Sequence, residues 1–467
     1  MGCVQLAFAF LSLFIFHDHL VGKFVIPAAA MLLIGTAIFF LFRKAGFTRA
    51  SYKDALIYAT TTWVIAGVLG GIPIIEITDI SFTDAVFESI SALTTTGATM
   101  LSGLDSMPKT FLLYRQFLQW MGGLGIVIFV VAILPMLNVG GMKLLKAETP
   151  GPIKDDKLSP RVANTAHYLW GVYIFMTLAC TLAYYLAGMS LFDAIAHSFT
   201  TISTGGFSTH DSSMWYFESH TILMISNIFM LLGAINFGLH FRVVYKRSLR
   251  GYYLDEETRY FILTVLFISL LLSVYLLKTH TYSNFLESFS FSSFHLISFI
   301  TSTGYAAGSY SSWPAAAAYI LVFAGYIGGC AGSTAGGNKI VRDIMAVKLI
   351  NKNMNQLIHP QGVFVIKYQN QIVHTDVRNA VMAFLSFVSG SSLAITLILM
   401  ATGLDFWSAF TAVAACINVS GPGFGELSSN FQPVSDLGTW VLSGAMILGR
   451  LEYFTVFALL LPSFWRN

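Results

Sequence analysis

The sequence predicts an all-α polytopic membrane protein. One unit (membrane helix, short helix, turn, membrane helix) is repeated four times with pseudo-fourfold symmetry around one axis, behind two extra N-terminal membrane helices. Three observations carry this. The 467 residues are 55% hydrophobic and 10% charged, with a mean hydropathy of +0.70, whereas a soluble globular chain carries about 25% charged residues. Apolar stretches of roughly the 20 residues needed to cross a bilayer recur along the chain. Between them a hydroxyl–glycine turn recurs: Thr94–Thr99 reads TTTGAT, Thr201–Phe207 TISTGGF, Thr301–Tyr305 TSTGY and Asn418–Gly423 NVSGPG. Aligned on Gly97, Gly205, Gly304 and Gly421, they stand 108, 99 and 117 residues apart, and a long, nearly constant interval marks a repeat.

The elements follow in order. Val4–Phe16 is apolar but short for a span, so a tilt or a longer natural start is expected. No Lys or Arg precedes Lys23, so the basic start of a secretory signal peptide is absent. Phe24–Phe42 is a full-length apolar run. Repeat one has the helix Ala55–Ile75, the short Ile80–Leu93, the first turn and Phe111–Leu137. Repeat two has Ala163–Ala187, the short Leu191–Ile202, its turn and Thr221–Phe241. Repeat three has Tyr260–Leu277, the short Phe289–Ile300, its turn and Ala315–Val347. Repeat four has Val377–Ala401, the short Phe406–Ile417, its turn and Trp440–Leu461. The expected units are 1–48 for the extra helices and 49–150, 151–254, 255–370 and 371–467 for the repeats, with ten spans in all. The four cysteines, Cys3, Cys180, Cys330 and Cys416, fit no zinc or redox spacing and read as small buried residues.

Charge sets the orientation. With the loops after Phe42, Leu137, Phe241 and the third repeat, plus the C-terminus, in the cytoplasm, those segments hold 21 of the 26 basic residues. The positive-inside rule then puts both termini in the cytoplasm and brings all four short helices in from the outer face.

Irregular backbone at membrane depth survives only where protein buries it or where it lines a wet cavity. Four half-helix and turn units around an axis meet that condition, and their carbonyls can replace the hydration shell of a dehydrated cation. Glycine allows the backbone angles this requires. Ser and Thr add uncharged oxygens, and a divalent-ion site would instead use carboxylates, which the turns lack. The short helices end at the turns, so their negative dipole ends face the ion. The expected ligands are mainly main-chain oxygens of Thr95, Thr96, Gly97, Ser203, Thr204, Gly205, Ser302, Thr303, Gly304, Val419, Ser420 and Gly421.

These residues, with SALTTTGAT (Ser91–Thr99), YRQFLQWMGGLGI (Tyr114–Ile126), AILPMLNVGGM (Ala132–Met142), GGFSTHD (Gly205–Asp211), IGGCAGSTAGG (Ile327–Gly337), GPGFGE (Gly421–Glu426), GRLEYFT (Gly449–Thr455) and PSFWR (Pro462–Arg466), resemble the Trk/Ktr/HKT superfamily of potassium and sodium transporters. Within it the chain is similar to the bacterial Trk-type, TrkH-like membrane subunit. The two extra N-terminal helices also resemble that branch. The resemblance implies potassium uptake across the bacterial inner membrane. Glycine in all four turns goes with potassium selection, and Gly97 meets that pattern. The fourth turn departs from it, because Val419-Ser420 precede Gly421 with no threonine. The resemblance also implies a homodimer with two separate pores and a TrkA-like cytoplasmic regulatory subunit that binds nucleotides. This chain has no nucleotide-binding domain of its own, and neither a cofactor nor a nucleic-acid partner is expected.

Further features stand out. Ile327–Gly337 holds five glycines in eleven residues and cannot form a stable helix. The resemblance reads Gly328, Gly329, Gly332, Ser333, Thr334, Gly336 and Gly337 as an intramembrane gate loop, and a tight helix-packing seam is the alternative. The segment lacks the GK[ST] ending of a phosphate loop. Arg450 lies deep in the last helix, where an arginine is costly and functional by default. The resemblance makes it a charge barrier beneath the turns, against a structural ion pair. Glu452, two residues on, faces elsewhere on the helix. Asp84, Asp193 and Asp405 stand near the starts of three short helices, suited to capping or to cation attraction. His197 and His295 read as hydrogen-bonded packing residues. The basic loops could also bind anionic lipid. A proton- or sodium-coupled symporter stays open as the alternative, and it would need an intramembrane ionisable pair, for which Arg450 and Glu452 are the candidates. No zinc spacing, nucleophile–base pair or phosphate loop points to an enzyme.

Overall fold

In the computed structural model, residues 1–44, 52–128, 158–451 and 453–466 are described. The described chain is helical apart from one two-stranded hairpin. Helix α1 is Gly2–Leu11, followed by a π-helical turn over Ser12–Phe16, and α2 is Val21–Phe42. The first repeat has α3 (Tyr52–Thr78), the short α4 (Phe82–Leu93) and α5 (Lys109–Ile128). The second has α6 (Leu158–Leu186), the short α7 (Leu191–Ile202), α8 (His220–Gly233), α9 (Phe237–Lys246) and α10 (Arg250–Leu254). The third has α11 (Glu256–Lys278), the short α12 (Phe285–Ile300), α13 (Ala315–Ile327) and α14 (Ile340–Ile358). Strands β1 (Lys367–Tyr368) and β2 (Gln371–Ile372) follow. The fourth repeat has α15 (Thr375–Ala401), the short α16 (Phe406–Ile417), α17 (Asp436–Leu451), α18 (Tyr453–Leu460) and α19 (Pro462–Trp465).

Five described helices are long and apolar enough to cross a membrane, and a bent pair adds a sixth. They are α2 and the first helix of each repeat, and the pair is α8 with α9. Of the ten expected spans, the second helices of repeats one and four, Phe111–Leu137 and Trp440–Leu461, run partly outside the described residues. The second helices of repeats two and three are broken, at residues 234–236 and 328–339. Helix α5 buries Arg115, Gln116 and Gln119. Helix α2 and the first helices of the repeats expose a belt of large apolar side chains, among them Leu33, Phe39, Leu178, Phe267 and Leu397. The expected continuous helix Thr221–Phe241 is instead broken, with α8 and α9 at 94°. Asn236 causes the break locally: its side chain accepts from Gly238 and Leu239 N–H at 2.8 and 3.3 Å and starts a new helix. Helix α12 begins one turn earlier than expected because Asn284 caps it, accepting from Leu286 N–H at 3.0 Å.

Of the cysteines, Cys180, Cys330 and Cys416 are buried, but Cys3 is exposed on α1. The segment Ala132–Met142 and Glu452 lie outside the described residues.

Candidate functional site

Each short helix begins on a cap and ends in one turn. At the N-termini, Ser81, Ser190 and Asn284 accept backbone N–H groups of their own first turns, and Asp405 does the same from Trp407 and Ser408. Asp84 and Asp193 are therefore not the caps. They occupy the third helical position, where negative charge still meets the positive helix end.

At the C-termini one backbone pattern appears four times. Thr94, Ser203, Thr301 and Asn418 cap the helices. The next residue is left-handed in each case: Thr95 at φ +56°, Thr204 at +51°, Ser302 at +54° and Val419 at +50°. The residue after that sends its N–H back five positions, at 2.8 Å in all four: Thr96 to Ser91 O, Gly205 to Thr200 O, Thr303 to Ser298 O and Ser420 to Ala415 O. This is the bonding that closes a helix end. A glycine follows, at φ +83° for Gly97, +80° for Gly206, +81° for Gly304 and +84° for Gly421. Left-handed backbone is strained for β-branched Thr and Val, and such strain collects at functional sites.

This corrects the alignment of turn 2. Its glycine is Gly206, which the sequence reading omitted. Gly205 stands instead with Thr96, Thr303 and Ser420, and Ser203 is the helix cap. The intervals become 109, 98 and 117 residues. The signal was present in the sequence: each turn glycine lies four residues past the end of its short helix, and those ends, Leu93, Ile202, Ile300 and Ile417, are as the sequence predicts.

The four turns close on one another. A Cβ on Gly97 would collide with Gly205 O, on Gly206 with Thr303 O, on Gly304 with Ser420 O, and on Gly421 with Thr96 O. Turns 1, 2, 3 and 4 thus form a ring in chain order, each packed against a carbonyl of the next.

Side chains behind the ring hold the strand that leaves each turn. Glu88 Oε2 accepts from Met100 N–H at 2.9 Å, His295 Nε2 from Ala307 N–H at 3.2 Å and Thr411 Oγ1 from Phe424 N–H at 3.1 Å. His197 Nε2 bonds Ser208 Oγ at 3.0 Å. Glu88, His197 and His295 are equivalent positions, nine residues before their glycines. Both histidines are hydrogen-bonded, as the sequence reading expects. Glu88 is buried with Arg115, whose Nε donates to Oε1 at 2.9 Å and whose guanidinium lies 4.1 Å from the centre of the Phe207 ring. Sequence reasoning passed over this pair, although a carboxylate in a short intramembrane helix is itself a signal. Gln119 was also missed: its Nε2 donates to Gly205 O at 2.6 Å and its Oε1 accepts from Phe207 N–H at 3.1 Å.

The hydroxyls are largely engaged within the turns. Thr94 and Thr96 Oγ1 pair at 2.8 Å, as do Thr301 and Thr303. Thr204 Oγ1 donates to Ser203 O at 2.7 Å, while Thr95 Oγ1 is buried without a partner among the described residues.

Beneath the ring, residues 328–339 leave the helical state between α13 and α14. Gly328, Gly332 and Gly337 take φ of +73°, +70° and +75°. The loop packs into the break between α8 and α9. Cys330 N–H donates to Ala234 O at 2.8 Å, Thr334 Oγ1 to Gly233 O at 2.9 Å, and Phe237 N–H to Gly332 O at 3.0 Å. Carbonyls freed by one broken helix are thereby satisfied by the other, as a low-dielectric interior requires. Gly329 and Gly332 lie against Ala234 and Asn236, and Ser333 Oγ donates to Cys330 O at 2.5 Å. The loop also reaches the ring. Gly336 N–H donates to Ser302 Oγ at 2.5 Å, and Thr334 Oγ1 to Ile202 O at 3.0 Å.

Arg450 is buried between loop and ring. Its Nη1 donates to Thr334 O at 2.8 Å and its Nη2 to Gly122 O at 3.3 Å. Among the described residues no carboxylate is in ion-pair range of it. It lines a cavity of about 30 Å³ with Gly336, Gly337 and Asn418, room for one or two waters.

A helical membrane protein whose four strained turns converge on one ring is built as a transport protein rather than an enzyme. The chain belongs to the TrkH family of cation transport proteins, whose model matches residues 22–465. It is 45% identical over 419 residues to the Trk system potassium uptake protein TrkH of Vibrio parahaemolyticus, covering 89% of this chain and 86% of that protein. The protein of the same name from Escherichia coli K12 is 43% identical over 417 residues, with the same coverage. The crystal structure of the potassium transporter TrkH from Vibrio parahaemolyticus superposes with a TM-score of 0.91 at 41% identity, covering all of this chain and 96% of that one.

Proposed function

We propose that this chain takes up potassium across the bacterial inner membrane through the ring of turns, acting as its selectivity filter. The cyclic packing of the four turn glycines on neighbouring carbonyls carries this reading, because it gathers backbone oxygens of four repeats at one axis. The filter residues are Thr95-Thr96-Gly97, Thr204-Gly205-Gly206, Ser302-Thr303-Gly304 and Val419-Ser420-Gly421. The repeats run 49–150, 151–254, 255–370 and 371–467, with 1–48 outside them. Loop 328–339 is the gate, and Arg450 places a positive charge below the filter as a barrier to cations. Both termini face the cytoplasm, and potassium entry is driven by about 2.3 kcal/mol per 100 mV of membrane potential. The functional assembly is a homodimer in the lipid bilayer, opened by a TrkA-like cytoplasmic nucleotide-binding subunit. The relatives' printed names, potassium uptake proteins of a Trk system, support both the ion and the existence of a partner.

The test is flux into proteoliposomes holding this chain alone, under imposed potassium, sodium and proton gradients. Potassium movement that follows voltage with no proton or sodium gradient is expected. Movement that requires either gradient would replace this reading with coupled symport. Arg450→Ala raises flux if the charge is a barrier, whereas unchanged flux with lost expression marks a structural role. Gly97→Ser weakens the preference for potassium over sodium.

A further inference from the structure

The end of the molecule opposite the short-helix N-termini carries a connected polar cluster that the transport reading leaves unused. Helix α11 starts at Asp255-Glu256-Glu257, and the three carboxylates reach in different directions. Glu257 is buried and accepts from Ala331 N–H, in loop 328–339, at 2.7 Å. Glu256 pairs with Lys348 of α14 and accepts from Gln369 N–H at 2.8 Å. Asp255 caps α11 through Thr258 N–H at 2.9 Å and accepts from Gln369 Nε2 at 3.0 Å. Gln369 and Asn370 form the tip of the β1–β2 hairpin, at φ +47° and +64°, the backbone of a tight two-residue turn. Lys348 Nζ also donates to Lys367 O at 2.7 Å. Consecutive residues of one capped helical turn thus hold the loop on one side and the hairpin on the other.

We propose that Asp255-Glu256-Glu257 couples the surface hairpin 366–373 to loop 328–339, with Glu257 as the positioning residue that keeps the loop closed. This rests on the reading of the loop as a gate. A carboxylate bonded to a backbone N–H makes a charge-assisted bond, and its loss leaves Ala331 N–H unsatisfied in the interior. The positive charges facing Glu257 are those of Lys339 and Arg342, and the negative one is that of Asp255. Both cations bind loop carbonyls themselves, Lys339 at Ala335 and Arg342 at Asn338. Loop, cations and carboxylate therefore form one unit, and the hairpin is its handle on the surface.

The experiment is potassium flux into proteoliposomes holding the full chain alone. Glu257→Ala raises basal flux about tenfold. Glu257→Gln, which keeps an acceptor for Ala331, raises it far less. Gln369→Gly frees the hairpin tip from Asp255 yet tolerates the left-handed backbone, and raises flux roughly two- to threefold. The potassium-over-sodium ratio stays unchanged in all three, which general loosening of the fold would not leave intact. Deletion of 332–336 separates the two readings. If it leaves flux unchanged, the gate reading falls and the coupling with it. If it raises flux while Glu257→Ala and Gln369→Gly do not, the coupling alone is overturned. Where Glu257→Ala does not assemble, wild-type flux in Gln369→Gly overturns the coupling by itself.

Discussion

Turns 1 and 3 share their side-chain bonds as well as their backbone. In turn 1, Thr94 Oγ1 donates to Ile90 O at 2.7 Å and pairs with Thr96, and Ser91 Oγ donates to Ala98 O at 2.6 Å. In turn 3, Thr301 donates to Ile297 O at 2.7 Å and pairs with Thr303, and Ser298 donates to Tyr305 O at 2.8 Å. Turns 2 and 4 replace this set. Gly205 and Ser420 stand where the paired threonines would be, and Thr200 turns away to the Tyr305 hydroxyl, 2.5 Å distant. The backbone ring is fourfold, but its side-chain bonds are shared only by turns 1 and 3. A ring closed by backbone contacts needs only the backbone symmetry, so side chains are free to diverge where other contacts hold the turn.

The largest expected effect tests the supports of turns 1 and 3, where Glu88 and His295 are equivalent. Arg115→Met leaves Glu88 buried and unpaired, at a cost of about 3–5 kcal/mol, whereas His295→Gln loses about 1 kcal/mol. Thermal unfolding of the two purified variants decides, and equal losses would break the comparison. Next come the two glycines of turn 2. Gly206→Ala forces a Cβ onto Thr303 O at positive φ and lowers potassium uptake about tenfold or more. Gly205→Ala displaces the Gln119 amide and its two bonds to turn 2 but meets no backbone, and lowers uptake less. The reverse ranking would restore the alignment on Gly205. Thr303→Val removes one hydroxyl pair, for about 1 kcal/mol, and Ser420→Ala in turn 4 costs less.

The smallest effect lies at the rim, where turns 1 and 2 are tied together. His210 Nδ1 is 2.5 Å from Asp105 Oδ1, its Nε2 is 3.4 Å from Asp193 Oδ1, and its ring stacks on Tyr216. Burial opposes its charge, but the hydrogen bonds and charges of Asp193 and Asp105 outweigh burial and raise its pKa above 6.5. A raised histidine pKa stabilises the fold fully below about pH 6.5 and ceases to do so as pH climbs through the raised value. The melting temperature should fall as pH rises from about 6.5 through that raised value, and that slope should shrink in His210→Asn.

Much of the architecture was legible because it is local. Apolar length announced the membrane, and the ends of the four short helices emerged at the right residues because each is a run of apolar residues closed by a hydroxyl or amide cap. The loop after Ile327 was legible because its glycine content forbids a helix. The register of turn 2 was not, because STGGF offers two glycines and side-chain similarity favoured the wrong one. The break at Asn236 was hidden as well. Its freed carbonyls are tolerable only because loop 328–339, about a hundred residues on, supplies the donors.

The sequence by itself determined a membrane-embedded helical chain, four short helices and the four turns that end them, since helix length, capping and positive-φ glycines act within a few residues. The tertiary structure decided that the turns close into a ring and that Gly206 belongs to it. It also decided that the hydroxyls of Thr96 and Thr303 are spent within their own turns, and that Arg450 binds Thr334 and Gly122 rather than any described carboxylate. These outcomes depend on partners far apart in the chain. Backbone polar groups in a low-dielectric interior must find a partner somewhere, and nothing local in the sequence says which one.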